Sequence, residues 1–251
     1  MTLFRAIPSA FVPILLLPLA ACSHRVPEAT VVVIDTSLSI TPRAEKAVLD
    51  AVQDQIAHMQ RGDTVVVIPI TGDAANDTEG RILRLSAPTQ RETYDADLLR
   101  FHEQARKQLT AWASSLDPHQ SRTDILGALE VAQQELALLP KESSAKLVVL
   151  SDFLEDDGTY RFVSAGQLAT PERAHELGAQ LREQAGFNMS SVSLCLGRLE
   201  STDFGRISMQ RREAVDAFWA SYLAAEGEHA EIQFDGTEIL ANADRGCFGK
   251  K

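Results

Sequence analysis

Three short apolar runs constrain this chain most: Thr30–Ile34 (TVVVI), Thr64–Ile70 (TVVVIPI) and Lys146–Leu150 (KLVVL). Each is continuous rather than alternating, the pattern of a strand buried on both faces, and such strands belong to parallel sheets covered by helices. Helical spacing fills the intervals. Thr41-Pro42 joins an N-cap hydroxyl to a first-turn proline, and Ala44, Ala47, Val48, Ala51, Val52 and Ile56 follow at helical period up to Gly62. Residues Asp95–Leu116 read as a helix broken by Asp117-Pro118, and Ile125–Leu139 as a helix ended by Pro140. Thr170-Pro171-Glu172 repeats the cap-and-proline start for a helix running to Gly186, and Arg211–Ala225 is the last helix. Ser191–Leu196 and Ala230–Phe234 read as further strands, and Arg81–Leu85 (RILRL) alternates as an exposed edge strand does. Strands separated by helices build βαβ units with right-handed crossovers. The expectation is one α/β domain over residues 29–235, a doubly wound, mostly parallel sheet flanked by helices, with residues 236–251 as a C-terminal tail.

The first 21 residues stand apart from that domain. Arg5 precedes Ala6–Ala21, an apolar stretch that is short for a membrane span and interrupted by Pro8, Pro13 and Pro18, so it reads as a signal peptide. Its end, Leu19-Ala20-Ala21-Cys22, resembles a bacterial lipobox. That resemblance implies that Cys22 is lipidated and becomes the new N-terminus, with residues 22–28 as a short tether. Ser23 stands where Asp typically retains such lipoproteins in the inner membrane, which favours the periplasmic side of the outer membrane. The six residues Ser23–Glu28 span only about 20 Å when extended, so the start of the first strand lies near the bilayer and its end points away. With Cys22 acylated, Cys195 and Cys247 are the remaining thiols, and an oxidising compartment favours a disulfide between them. The alternative is a buried free Cys195 with Cys247 unpaired.

Ligands of such sheets bind beyond the carboxyl ends of the strands. The first strand ends in Asp35-Thr36-Ser37-Leu38-Ser39, a DxSxS pattern; Ser121-Arg122-Thr123-Asp124 opens a helix; and the third buried strand ends in Leu150-Ser151-Asp152. Asp35, Ser37, Ser39, Thr123 and Asp152 thus reach one edge from three distant loops. Two carboxylates and three hydroxyls, with no His or Cys, suit a hard divalent cation. Two carboxylates neutralise the ion and the hydroxyls add no charge, so the metal stays electrophilic and a carboxylate from outside can complete its shell. The set resembles the von Willebrand factor type A (VWA) domain and its metal-ion-dependent adhesion site, over roughly residues 29–235. The resemblance implies a Rossmann-like sheet with one antiparallel edge strand. It also implies direct metal ligation by Ser37 and Ser39, ligation by Thr123 when a ligand is bound, and a direct or water-mediated role for Asp35 and Asp152. Mg²⁺ is the first expectation, with Mn²⁺ and Ca²⁺ as the other candidates. One departure follows Asp152: where the family often has Gly, this chain has Phe153-Leu154-Glu155-Asp156-Asp157, a loop expected to shield the site or to offer Glu155 as an internal ligand.

The function these features point to is a lipid-anchored, non-enzymatic binding module that captures the Asp or Glu carboxylate of a protein partner through the cation. The alternative is an envelope scaffold or assembly lipoprotein whose metal site is vestigial or only stabilising; a third reading is metal-dependent hydrolysis with Glu155 as base. A net charge of −11, from 24 Lys+Arg against 35 Asp+Glu, argues against nucleic acid as a partner. There is no HExxH, no GxSxG and no GxxxxGK on a strand-to-helix turn. His102 and His175 read as solvated helix residues, and Phe218, Trp219, Tyr222 and Leu223 as a core-facing stripe. The acidic stretch Asp73–Glu79 offers a second cation site near the same edge.

Overall fold

The computed structural model describes residues 25–77, 79–89, 95–117, 120–164, 166–189 and 191–223. Within them, β1 (Glu28–Asp35), β2 (Thr64–Ile70), β3 (Leu83–Ser86), β4 (Ser144–Ser151) and β5 (Ser193–Arg198) form one sheet in the order β3-β2-β1-β4-β5. All pairings are parallel except β2 with β3. The helices are α1 (Pro42–His58), α2 (Ala74–Asp77), α3 (Asp95–Ser115), α4 (Ile125–Leu138), α5 (Pro171–Ala185), α6 (Thr202–Arg206) and α7 (Met209–Leu223).

The continuous apolar runs bury both faces of the sheet. Val31, Val33, Val66, Ile68, Leu147 and Val149 point toward α2, α4, α5 and α7, while Val32, Ile34, Val65, Val67, Val148 and Leu150 point toward α1 and α3. Burying each such side chain contributes roughly 1.5–3 kcal/mol, so the three central strands fix the layer order. The expected caps form: Thr41 Oγ1 accepts from Ala44 N–H at 3.3 Å, and Thr170 Oγ1 from Arg173 N–H at 3.4 Å. The stripe of Phe218, Trp219 and Tyr222 lies in the core, where Phe162 meets Phe218 edge-on at 4.7 Å.

Several boundaries shift. The edge strand is Leu83–Ser86 rather than 81–85, because Glu79–Arg81 winds into a 3₁₀ turn whose Arg81 carbonyl accepts from Trp112 Nε1 on α3. The fifth strand begins two residues later than expected, at Ser193, and α7 begins two residues earlier, at Met209. The short α6, capped by Ser201 Oγ on Phe204 N–H, has too little length for periodicity to reveal it. The expected strand Ala230–Phe234, the tail, Cys22 and Cys247 lie outside the described residues. Cys195 sits half-buried on β5, paired in register with Val148 of β4.

Helices α5 and α7 pack closely because Gly178 has no side chain: a Cβ there would lie 2.4 Å from the Phe218 carbonyl oxygen and 3.1 Å from Ser221 Cβ. Gly178→Ala is therefore expected to destabilise the domain by about 2 kcal/mol. That lowers the melting temperature by roughly 4–8 °C in thermal unfolding; an unchanged midpoint would contradict the packing.

Candidate metal centre

Strand β1 lies between β2 and β4; the chain leaves β1 for α1 on one face and leaves β4 for α5 on the other. The crevice of such a sheet opens at this reversal, here above Asp35 and Ser151. Register pairs Ile34 with Leu150, so the two strands end side by side. Ser151 Oγ donates to Asp35 Oδ2 at 2.6 Å, and Ser37 N–H donates to Asp35 Oδ1 at 2.9 Å. Both carboxylate oxygens are thus engaged by the protein, and they hold the 36–39 turn in place.

That turn presents its hydroxyls to β4. Ser37 Oγ lies 3.0 Å from Ser39 Oγ, and Ser39 Oγ donates to Asp152 Oδ2 at 3.0 Å, while Asp152 Oδ1 accepts from Leu154 N–H at 3.0 Å. Adjacent oxygens of a six-coordinate Mg²⁺ shell are about 2.9 Å apart at metal–oxygen distances of roughly 2.0–2.1 Å. The Ser37–Ser39–Asp152 oxygens already have that spacing, so the residues fit the ion. Ser37, Ser39 and Asp152 would hold such an ion, with Asp35 positioning them.

Thr123 reaches the same edge by another route. Its N–H donates to the Asp156 carbonyl at 3.1 Å, and its carbonyl accepts from Asp156 N–H at 2.8 Å. Asp124 N–H donates to the Thr71 carbonyl at 2.8 Å. Leu38 N–H donates to the Gln120 carbonyl at 3.0 Å, and Gln120 Nε2 donates to the carbonyls of Ile70 and Arg122, lacing the third loop to the first. Asp35, Ser37, Ser39 and Asp152 form one hydrogen-bonded chain; Thr123, buried, is joined through its backbone to Asp156 in the loop after Asp152.

Burial dominates the electrostatics. It raises the Asp35 carboxyl above the usual range despite the bonds from Ser151 and Ser37. Asp152 is pushed up to about 7, first by burial and then by the charge of Asp35, with Ser201, Leu154 and Ser39 pulling the other way. Two carboxylates held together in a dry crevice favour a proton or a cation over both charges at once.

The loop after Asp152 differs from expectation in one respect. Glu155 does not turn toward this centre: its Oε2 accepts from the N–H groups of Ile125 and Leu126 at 3.0 and 3.1 Å, at the N-terminus of α4. It is therefore neither an internal ligand here nor placed as a base. Phe153 explains why glycine would suit the position, since its φ is +63°. That conformation costs about 1–3 kcal/mol for a bulky residue. The fully buried ring packs edge-on against Trp219 at 5.9 Å, and Trp219 Nε1 donates to the Phe153 carbonyl at 2.8 Å. Removing such a ring costs about 3–5 kcal/mol, so burial outweighs the strain.

The motifs did not reveal every contributor. Ser151 holds Asp35 from within the quoted Ser-Asp pair, where only strand register could have assigned that role. Ser201, in the turn before α6, pulls the Asp152 carboxyl down, and Arg198 on β5 adds a positive charge nearby. Of the stretch 73–79, Ala74–Asp77 forms α2 and Glu79 opens the 3₁₀ turn Glu79–Arg81; among the described residues the carboxylate cluster with metal-like spacing is instead Asp124, Glu155 and Asp157.

The strand order, the antiparallel edge and the three loops at the switch point make this a VWA fold. No protein-family model matches the chain, and no curated protein matches it. Among solved structures it is similar to the conserved hypothetical protein BatB from Bacteroides thetaiotaomicron, with 18% identity, a TM-score of 0.38, and coverage of 68% of this chain and 65% of that one, just under two thirds of its length. It is also similar to the manganese-loaded TRAP protein of Plasmodium vivax (14% identity, TM-score 0.45, 90% and 75% of the two chains). A third is the SpRpn10 VWA domain (12% identity, TM-score 0.41, 78% and 85%). At these identities no residue's role carries across.

A raised Asp152 makes proton and metal competitors. Without metal, the folded state keeps this proton to near pH 7 whereas the unfolded chain releases it near pH 4. The group's contribution to stability is thus full below about pH 4 and is lost as pH rises toward 7. Metal binding needs the ionised carboxylate, so Mn²⁺ affinity measured calorimetrically should climb from about pH 5.5 to 7.5 and then level. An affinity flat across that range would contradict the assignment.

Proposed function

We propose that this chain is a lipid-anchored binding module that captures an acidic side chain of a protein partner through a divalent cation held by Ser37, Ser39 and Asp152, with Asp35 positioning them and Thr123 joining when the partner binds. The observation that carries the reading is the run of three oxygens at 3.0 Å spacing over the switch point. Mg²⁺ fits that spacing best, and Mn²⁺ and Ca²⁺ share its oxygen chemistry. The cation, when bound, supplies an electrophilic coordination position for an incoming carboxylate. Leu38, between the two serines, is 57% exposed and gives the rim an apolar contact beside that position. Glu155, the base that a hydrolytic reading would use, is held at α4 instead, which favours binding over turnover.

Anchoring follows from Cys22 and from how the domain begins. Arg25 donates to both carboxylate oxygens of the buried Asp63 at 2.8 and 2.9 Å, and Glu28 N–H donates to Asp63 Oδ1 at 2.9 Å. With Cys22 acylated, Ser23 and His24 alone separate the lipid from this clamp, a reach of about 10 Å. The N-terminal edge of the sheet then sits at the bilayer and the metal edge faces the periplasm, on the outer membrane in this proposal. The Cys195–Cys247 disulfide belongs to the same proposal, since that compartment is oxidising. No helix among the described residues is long and apolar enough to cross a membrane.

About 10 mM Mg²⁺ or Mn²⁺ should stabilise the parent by roughly 1.4–2.7 kcal/mol over EDTA for a Kd near 0.1–1 mM. The melting temperature should rise by a few degrees, and Ser39→Ala should abolish the rise. Capture of an acidic partner should fail in EDTA, and Cys22→Ala should leave the membrane fraction. No shift in the parent, or the same shift in Ser39→Ala, would reject the metal-dependent reading; capture indifferent to EDTA would favour the scaffold.

A further inference from the structure

A second group of carboxylates meets at the N-terminus of α4. Asp124, the N-cap of that helix, and Glu155 and Asp157, from the loop after β4, each contribute an oxygen within 4.8 Å of the other two. None of them belongs to the DxSxS set. Glu155 is fully buried, and its Oε1 has no hydrogen-bond partner although Oε2 accepts two helix N–H groups.

We propose that Asp124, Glu155 and Asp157 form a second cation site, suited to Ca²⁺. The unpaired, buried oxygen of Glu155 is the observation that points to a ligand here. A cation among the three carboxylates satisfies that oxygen and offsets the charge of all of them. No Lys or Arg of the described residues forms an ion pair with any of the three. Each group is also held by backbone donors. Asp124 Oδ1 accepts from Gly127 N–H at 2.7 Å and Oδ2 from Ala74 N–H at 2.8 Å, while Asp157 Oδ1 accepts from Thr159 and Tyr160 N–H at 2.6 and 2.7 Å. Gly127 permits this arrangement, because a Cβ there would lie 2.2 Å from Asp124 Oδ2.

Ca²⁺ takes six to eight oxygens, several of them carboxylate, whereas Mg²⁺ keeps several waters and binds through one or two carboxylates. Three carboxylates therefore favour Ca²⁺, and Asp157, half-exposed, leaves a side from which water completes the shell. Thr123 precedes Asp124 in the chain, and Asp152 lies three residues before Glu155. An ion here would tie together two of the three loops that build the DxSxS centre.

The test disables the first centre and asks whether a site remains. The full chain carrying Asp35→Asn, purified in detergent, is titrated calorimetrically with Ca²⁺, with Ser39→Ala as a second background should Asp35→Asn fail to fold. About one Ca²⁺ per chain should bind in either background. Adding Asp157→Asn, which keeps the Oδ1 acceptor, should weaken it by tenfold or more while leaving the Ca²⁺-free melting temperature unchanged. Loss of all Ca²⁺ binding in both backgrounds would assign the ion to the first centre and overturn the proposal. Unchanged binding after Asp157→Asn would overturn it too.

Discussion

Asp35 is the joint on which the site depends. Its two oxygens are bound at once by the backbone of its own loop, through Ser37, and by the neighbouring strand, through Ser151. A single buried carboxylate therefore fixes the Ser37–Ser39 turn relative to the end of β4. The 3.0 Å contact from Ser39 to Asp152 is possible only because that relation is fixed. The acceptor geometry is demanding in a way that the surrounding valines are not. Apolar packing would tolerate a small slide between β1 and β4, whereas hydrogen bonds of 2.6 and 2.9 Å would not.

The edge above β1 and β4 concentrates negative charge with little to offset it. Asp35 and Asp152 are buried together, and Asp124, Glu155 and Asp157 gather at the neighbouring helix terminus. Helix N–H groups and hydroxyls supply partial positive charge, as at Glu155 and Asp152, but only in fractions of a unit. Burial remains the first cause raising Asp35, Asp124, Asp152 and Glu155 alike. Structures stable in isolation avoid such unpaired charge in the interior. Its accumulation at this one edge makes protons or cations part of the folded state.

The layer order was legible because continuous β-branched runs have few other fates: Thr30–Ile34, Thr64–Ile70 and Lys146–Leu150 became three adjacent strands of the sheet. The caps at Thr41 and Thr170 were legible for the same reason, each combining a side-chain acceptor with a proline that favours one backbone state. Boundaries set by distant contacts were not. The start of β3 moved because Trp112, some thirty residues away, binds the Arg81 carbonyl. In the site, residues announced by chemistry and strand position came together. The role of Glu155 did not follow from its place three residues past Asp152, because the turn direction is set by backbone dihedrals at Phe153 that the residue type disfavours.

Phe153 shows how the core and the edge above β1 and β4 share one solution. A left-handed backbone directly after Asp152 sends the loop toward α4, where Glu155 can meet the helix N-terminus, while Leu154 N–H turns back to Asp152 Oδ1. Glycine would adopt this turn without strain but would leave a void between Trp219 and β4. Phenylalanine fills that space, and its carbonyl receives the indole N–H that would otherwise be buried unpaired. The position of Asp152 is thereby tied to an aromatic core that includes Phe162, Phe218, Trp219 and Tyr222. Backbone strain of this kind persists only where surrounding packing over-determines it, and here that packing is supplied by α7.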